Sequence, residues 1–128
     1  MSVDENFLLN WGTRIGVQAK IDGMRSSQIE GILSSLELIS DERSSLLLTA
    51  AFALRQAERL GRGRQTARLI NEALSEVYRL GGGKEDGRKL LGVAKWVYES
   101  IEHQRLPYVG NVRELTLEKF LEAIRGAR

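Results

Sequence analysis

Apolar residues recur at intervals of three and four along almost the whole chain, a spacing that places them on one face of an α-helix. The clearest stripe consists of Ile29, Ile32, Leu33, Leu36 and Ile39. The strict alternation of apolar and polar residues that is typical of a β-strand is nearly absent before residue 108. The pattern therefore predicts an all-α fold, a compact bundle of about five to six helices.

Capping residues, glycines and the single proline divide this pattern into six predicted helices. Ser27 begins a capping box at the start of the second helix, which we expect to end at Ser40-Asp41. Gly61 and the run Gly81–Gly83 are predicted to end the third and fourth helices, and Thr116 to cap the last one. The predicted helices cover residues 4–21, 27–39, 42–60, 65–80, 86–104 and 117–125.

The same pattern gives expectations about packing. The third helix has apolar or small residues over a wide arc, so we expect it to be central and the most buried. Gly12 and Gly16 lie four residues apart in the first helix; they either allow another helix to approach closely or are simply tolerated. We expect a single helical domain of residues 1–128, with a core bundle of about 24–105 and a C-terminal extension of 106–128.

Composition narrows the classes of function. The 128 residues include no cysteine and one histidine, which excludes disulfides, thiol catalysis and zinc fingers. Neither a nucleophile–base pair nor a ligand-spaced cluster of Asp and Glu is apparent, so we expect no catalytic residue, no metal site and no cofactor. The sequence also lacks a signal peptide and an apolar run near the roughly 20 residues that span a bilayer. We therefore predict a cytoplasmic protein without a membrane partner.

Charge is the one unusual property of the chain. The net charge is only +2, yet five arginines cluster around the junction of the third and fourth helices, where the only acidic residue is Glu58. A row of guanidinium groups, each able to hold two phosphate oxygens, suits a nucleic-acid backbone. The alternative is a solvated surface paired with Glu58 and Glu72. The candidate nucleic-acid-binding residues are Arg55, Arg59, Arg62, Arg64 and Arg68, with Lys84 and Arg88 beside a glycine-rich loop.

These residues leave more than one function open. Arg64, Gln65 and Arg68 lie at the start of the fourth helix, where the recognition helix of a helix-turn-helix DNA-binding regulator would carry its base-reading side chains. A helical adaptor whose arginines meet acidic protein partners is a further alternative. Trp96 lies off the main apolar stripe of the fifth helix, and it is a candidate for stacking on a base or for contacting another subunit.

Three stretches of the chain resemble one known family. Residues 24–29 (MRSSQI) open the second helix, residues 51–55 (AFALR) lie in the third, and residues 96–105 (WVYESIEHQR) lie in the fifth. In this order they resemble the small subunit of type III CRISPR effector complexes, in particular the Csm-type (III-A) small subunit. The resemblance spans residues 24–105, and residues 106–128 depart from the family pattern.

This resemblance implies a non-catalytic, RNA-binding subunit of a prokaryotic antiviral ribonucleoprotein complex. The implied partners are crRNA and single-stranded target RNA, both contacted through their backbones, and other effector-complex subunits, with possible self-association in tandem copies. Arg55 is the basic position that matches the family motif. The other candidate residues come from the charge pattern of this chain.

Overall fold

The computed structural model describes residues 3–127. This part of the chain forms six α-helices and one 3-10 turn, with no β-strand, so the predicted all-α bundle is confirmed. The helices are α1 (Glu5–Ile21), α2 (Ser26–Ser35), α3 (Ser44–Leu60), α4 (Arg64–Arg79), α5 (Lys84–Ile101) and α6 (Leu117–Gly126), and the 3-10 turn is Val112–Glu114.

Most helix ends lie where the capping residues predict them. Gly61 ends α3 in the left-handed conformation, with φ of 68°, which a residue without a Cβ adopts at little cost. The Thr116 hydroxyl accepts a hydrogen bond from the Lys119 backbone N–H at 3.1 Å and caps α6. The Asp41 carboxylate accepts from the Ser44 N–H at 2.7 Å at the start of α3.

The boundaries predicted for α2 are wrong at both ends. The N-cap is Arg25 rather than Ser27, and the Gln28 side chain accepts a hydrogen bond from the Arg25 N–H at 2.7 Å. The helix ends at Ser35, whose hydroxyl donates to the Ile32 carbonyl at 2.6 Å and so competes with the helical pattern. Residues 36–40 form a turn, and Ile39, the last member of the predicted stripe, is exposed.

The third helix is not the central one, contrary to the expectation from its wide apolar arc. The largest helix–helix interface joins α1 to α5, and α3 packs mainly against α4. Only one face of α3 is buried, and Leu47, Leu54 and Leu60 on its other side are each more than 40% exposed. The wide arc therefore covers a buried stripe together with an apolar outer face.

Gly12 and Gly16 allow the backbones of α1 and α5 to lie in direct contact. A Cβ placed on Gly12 would lie 2.6 Å from the Leu90 carbonyl oxygen, and one on Gly16 would lie 2.5 Å from the Ala94 carbonyl oxygen. Real Cβ atoms do not approach backbone atoms this closely. Of the two interpretations of this pair, the structure therefore supports close approach.

The C-terminal segment is fastened to α1 and the end of α5. A second apolar cluster consists of Val17, Val97, Ile101, Leu115 and Phe120. Polar contacts reinforce it, because Arg14 donates to the Leu115 carbonyl at 2.8 Å and Lys20 donates to the Glu102 carbonyl at 2.7 Å. Helix α1 therefore contributes to this cluster as well as to the main core.

We expect Gly16→Ala to lower the free energy of unfolding by about 1–3 kcal/mol, because the added methyl group forces α1 away from α5. The matched control is Gly92→Ala in α5, where a Cβ would meet no atom within 4 Å. That variant should gain about 0.5–1 kcal/mol from the better helix propensity of alanine. Urea unfolding followed by circular dichroism measures both, and equal effects would contradict the close packing of α1 on α5.

Candidate nucleic-acid interface

An open groove of about 490 Å³ lies between the start of α2, the second half of α3 and the α3–α4 turn. Nine residues line it, four of them arginines and none of them acidic. We refer to these four as the groove arginines. The lining residues are Arg25, Ser27, Gln28, Phe52, Arg55, Gln56, Arg59, Leu60 and Arg62.

The structure brings three of the predicted site residues together in this groove. Arg55 and Arg59 lie one turn apart on α3, and Arg62 follows in the turn after Gly61. Arg25 is the fourth groove arginine, and the charge pattern did not identify it as a site residue. Arg25 is 30 residues before Arg55 in sequence, so only tertiary packing places the two side chains on one groove.

The two chain segments that carry Arg25 and Arg62 are held together by direct contacts. The Arg62 guanidinium donates a hydrogen bond to the Gly23 carbonyl at 3.2 Å. The buried Tyr98 hydroxyl donates to the Met24 carbonyl at 2.6 Å. Gly63 has φ of +89°, and a Cβ there would lie 3.1 Å from the Met24 sulfur. The α1–α2 connection is therefore anchored both to α5 and to the α3–α4 turn.

The Asp22 carboxylate joins the end of α1 to the start of α4. Its Oδ2 accepts from both the backbone N–H and the hydroxyl of Thr66, at 2.9 and 2.8 Å. Its Oδ1 accepts from the Gln18 amide at 2.9 Å, which fixes the carboxylate. Helix α4 begins after Gly63, which has no side chain to cap it. Asp22 therefore caps α4 from the end of α1, and this cap fixes the position of the α3–α4 turn.

Seven other cations of the described residues lie within 4.0 Å of a carboxylate oxygen, and the groove arginines are not among them. Within residues 3–127, no carboxylate oxygen lies within 4.0 Å of any of the four guanidinium groups. By contrast, Arg113 donates to both carboxylate oxygens of Glu72, at 2.9 and 2.7 Å. This bidentate contact lowers the pKa of Glu72 below its ordinary value. The groove therefore has positive charge that the protein itself does not neutralise.

Arg64 and Arg68 lie outside the groove, on the exposed side of α4. The Arg64 guanidinium is 3.9 Å from the Glu58 carboxylate, and both side chains are largely exposed. The five arginines of the sequence cluster thus divide between two surfaces, three in the groove and two on α4.

Lys84 and Arg88 lie at the start of α5, and both donate hydrogen bonds to residues that connect α2 to α3. Lys84 is only 6% exposed and donates to the Ile39 carbonyl at 2.8 Å. Arg88 donates to both carboxylate oxygens of Glu37, at 2.7 and 2.9 Å, and these hydrogen bonds lower the pKa of Glu37. Either residue would have to give up these contacts to bind a phosphate.

A second exposed surface of the protein is apolar. Trp96 is 73% exposed and lies with Leu9 and Val93 along a shallow depression between α1 and α5. Leu121 on α6, 54% exposed, lies on the other side of Leu9. Exposed large apolar side chains that gather in this way are typical of protein-contact surfaces.

Comparisons of the chain with protein-family models, with curated proteins and with solved structures give no match. In the described residues, no group of three or more His, Asp or Glu side chains is placed to hold a metal ion. None of the six helices is long and apolar enough to cross a membrane. The groove is thus the feature whose geometry bears most directly on function.

We expect Asp22→Ala to destabilise the protein by about 1–2 kcal/mol, the usual cost of losing a helix cap. Because Asp22 positions the α3–α4 turn, the variant should also disturb the amide resonances of Arg62 and Arg25. Asp41→Ala, which removes the cap of α3 at the opposite end of that helix, is the control. Two-dimensional NMR should show changes around the groove for the first variant only; identical spectra there would contradict the role of Asp22.

Proposed function

We propose that this chain is a non-catalytic subunit of a crRNA-guided type III effector complex, which holds single-stranded RNA by its backbone in the arginine groove. The observation that carries the proposal is the convergence of four guanidinium groups on one groove without acidic lining residues, and none of the four has an acidic partner within residues 3–127. Two chain segments supply these side chains, Arg25 before α2 and the other three in the second half of α3 and in the turn after it, so the arrangement depends on tertiary packing.

The chemistry of the groove suits a phosphate backbone. Each guanidinium offers five N–H donors in a planar fork that matches two phosphate oxygens. The first turn of α2, with Ser27 and Gln28, lines the groove as well, and the positive end of this helix dipole adds to the field. Contacts of this kind are independent of base sequence, as a subunit that holds many different guide RNAs requires.

Two further features support membership of a larger complex. Of the three stretches that resemble the type III small subunit, residues 24–29 include Arg25 and residues 51–55 include Arg55, both of them groove arginines. The exposed surface of Trp96, Leu9 and Leu121 offers a contact area for other subunits or for a second copy of the chain. Because this surface is separate from the groove, RNA and a protein partner can bind at the same time.

A helix-turn-helix regulator is the second candidate, and one observation favours it. The outer face of α4 exposes Arg64, Gln65, Arg68 and Asn71 over its first two turns. Arginine, glutamine and asparagine are the side chains that read base edges in the major groove of duplex DNA. This face is distinct from the arginine groove, so variants can separate the two functions.

We expect the triple variant Arg55→Glu, Arg59→Glu, Arg62→Glu to weaken binding of a single-stranded 12-nucleotide RNA by at least about tenfold, because attraction to phosphates becomes repulsion. Fluorescence anisotropy at low salt measures the affinity. The matched control, Arg105→Glu, Lys119→Glu, Arg125→Glu, changes the net charge equally on exposed residues that do not line the groove. For the wild type, four phosphate contacts predict a slope of log K against log salt near −3, from roughly −0.7 per contact.

Equal loss in both triple variants would mean that net charge, not the groove, drives binding. Tighter binding to a defined DNA duplex, lost in Gln65→Ala with Asn71→Ala, would favour the regulator. Failure to bind any nucleic acid, with stoichiometric binding of an acidic protein, would favour the adaptor.

Co-purification tests the assembly directly. We expect the tagged chain, isolated from its source cells, to carry short RNAs of uniform length together with other protein subunits, since a guide-RNA complex contains both. Sequencing of the RNA and mass spectrometry of the proteins identify them. The groove triple variant should recover less RNA than the control triple variant. Recovery of the chain without RNA would contradict the proposed function.

A further inference from the structure

We infer that the groove also holds one nucleobase flat against Phe52, so that it binds a nucleotide and not phosphates alone. This inference rests on the proposed function and extends it. Besides the four arginines, the apolar side chains of Phe52 and Leu60 line the groove. A site for phosphates alone gains nothing from an aromatic ring, whereas a nucleotide combines a flat apolar base with an anionic backbone.

The Phe52 ring is held in place between two helices. It is partly buried and packs against the main core, and its remaining surface lines the groove. On the α2 side it lies beside Gly31, where a Cβ would be 3.8 Å from the Cε2 and Cζ atoms of the ring. A side chain longer than a methyl group at position 31 would therefore press on the ring. A ring that packs on one side against the core has less conformational freedom to lose when a base stacks on it.

Amide groups beside the ring can meet the polar edge of the base. The Gln56 side chain lies next to Gly31 in the groove wall and makes no hydrogen bond within residues 3–127. The Gln28 oxygen is used by the Arg25 N–H, but its NH2 group retains its donors. Neutral amides hydrogen-bond with base edges of any type, so they support binding without fixing a sequence.

This site selects single strands over duplexes. In a duplex, the faces of each base are covered by its neighbours and its edge is paired, so a base cannot reach Phe52 without being extruded. In a single strand, a base can leave its neighbours and lie on an aromatic side chain, which strengthens binding by roughly tenfold per base. The groove arginines then hold the phosphates on either side of the stacked nucleotide.

The test compares two 12-mers that share the same sugar–phosphate backbone, oligouridine and an abasic oligomer without bases. We expect the wild type to bind oligouridine roughly tenfold more tightly than the abasic oligomer. Phe52→Leu keeps an apolar side chain but loses the aromatic ring, so the ratio of oligouridine affinity to abasic affinity should fall to about one. Phe52→Tyr should retain the preference.

The results distinguish this inference from the proposed function. Equal wild-type affinity for the two oligomers, with both weakened by the groove triple variant, would overturn the base site and leave backbone binding intact. Absence of binding to either oligomer would overturn both. The wild-type ratio needs no variant, so the inference can be refuted even if Phe52→Leu does not fold.

Discussion

The contact of the α1 and α5 backbones at Gly12 and Gly16 is the constraint on which the rest of the structure depends. Without side chains at these positions, α1 lies directly on the carbonyl oxygens of Leu90 and Ala94. At this short distance α1 joins both apolar clusters, through Ile15 in the main core and Val17 in the second cluster. A small shift of α1 would therefore open both clusters at once.

The arginine groove depends on the same placement. Helix α1 ends at the point where Asp22 caps α4, and the next three residues lead directly to Arg25. The Arg62 contact with the Gly23 carbonyl then joins the α3–α4 turn to this segment. Repulsion among the groove arginines is thus opposed by the Asp22 cap of α4 and by two hydrogen bonds from side chains to the Gly23 and Met24 carbonyls, and none of these places a carboxylate in the groove lining.

Helical periodicity predicts the fold class and most helix positions, because apolar stripes and caps are local signals. The spacing of Arg55, Arg59 and Arg62 predicts that they share a surface for the same reason. The spacing does not predict that Arg25 belongs to the groove, because only the packing of α2 against α3 brings it there. Contacts between residues far apart in sequence cannot be predicted from these local patterns either, and the contact of Arg88 with Glu37 is an example. The width of an apolar arc also does not show whether other helices cover it. For this reason the prediction that α3 is the central helix is wrong.

The pairing of α1 with α5 also has a consequence for biosynthesis. Helix α1 is made before the other described helices, yet the helix against which it packs most extensively, α5, follows only after α2, α3 and α4. At translation rates of about 5–20 residues per second, α1 waits several seconds for its main partner. During this interval α1 lacks the helix that covers most of its apolar face, whereas α3 and α4 can already pair with each other. Completion of the main core thus has to wait for the synthesis of α5, and truncated chains that lack α5 would expose the apolar face of α1.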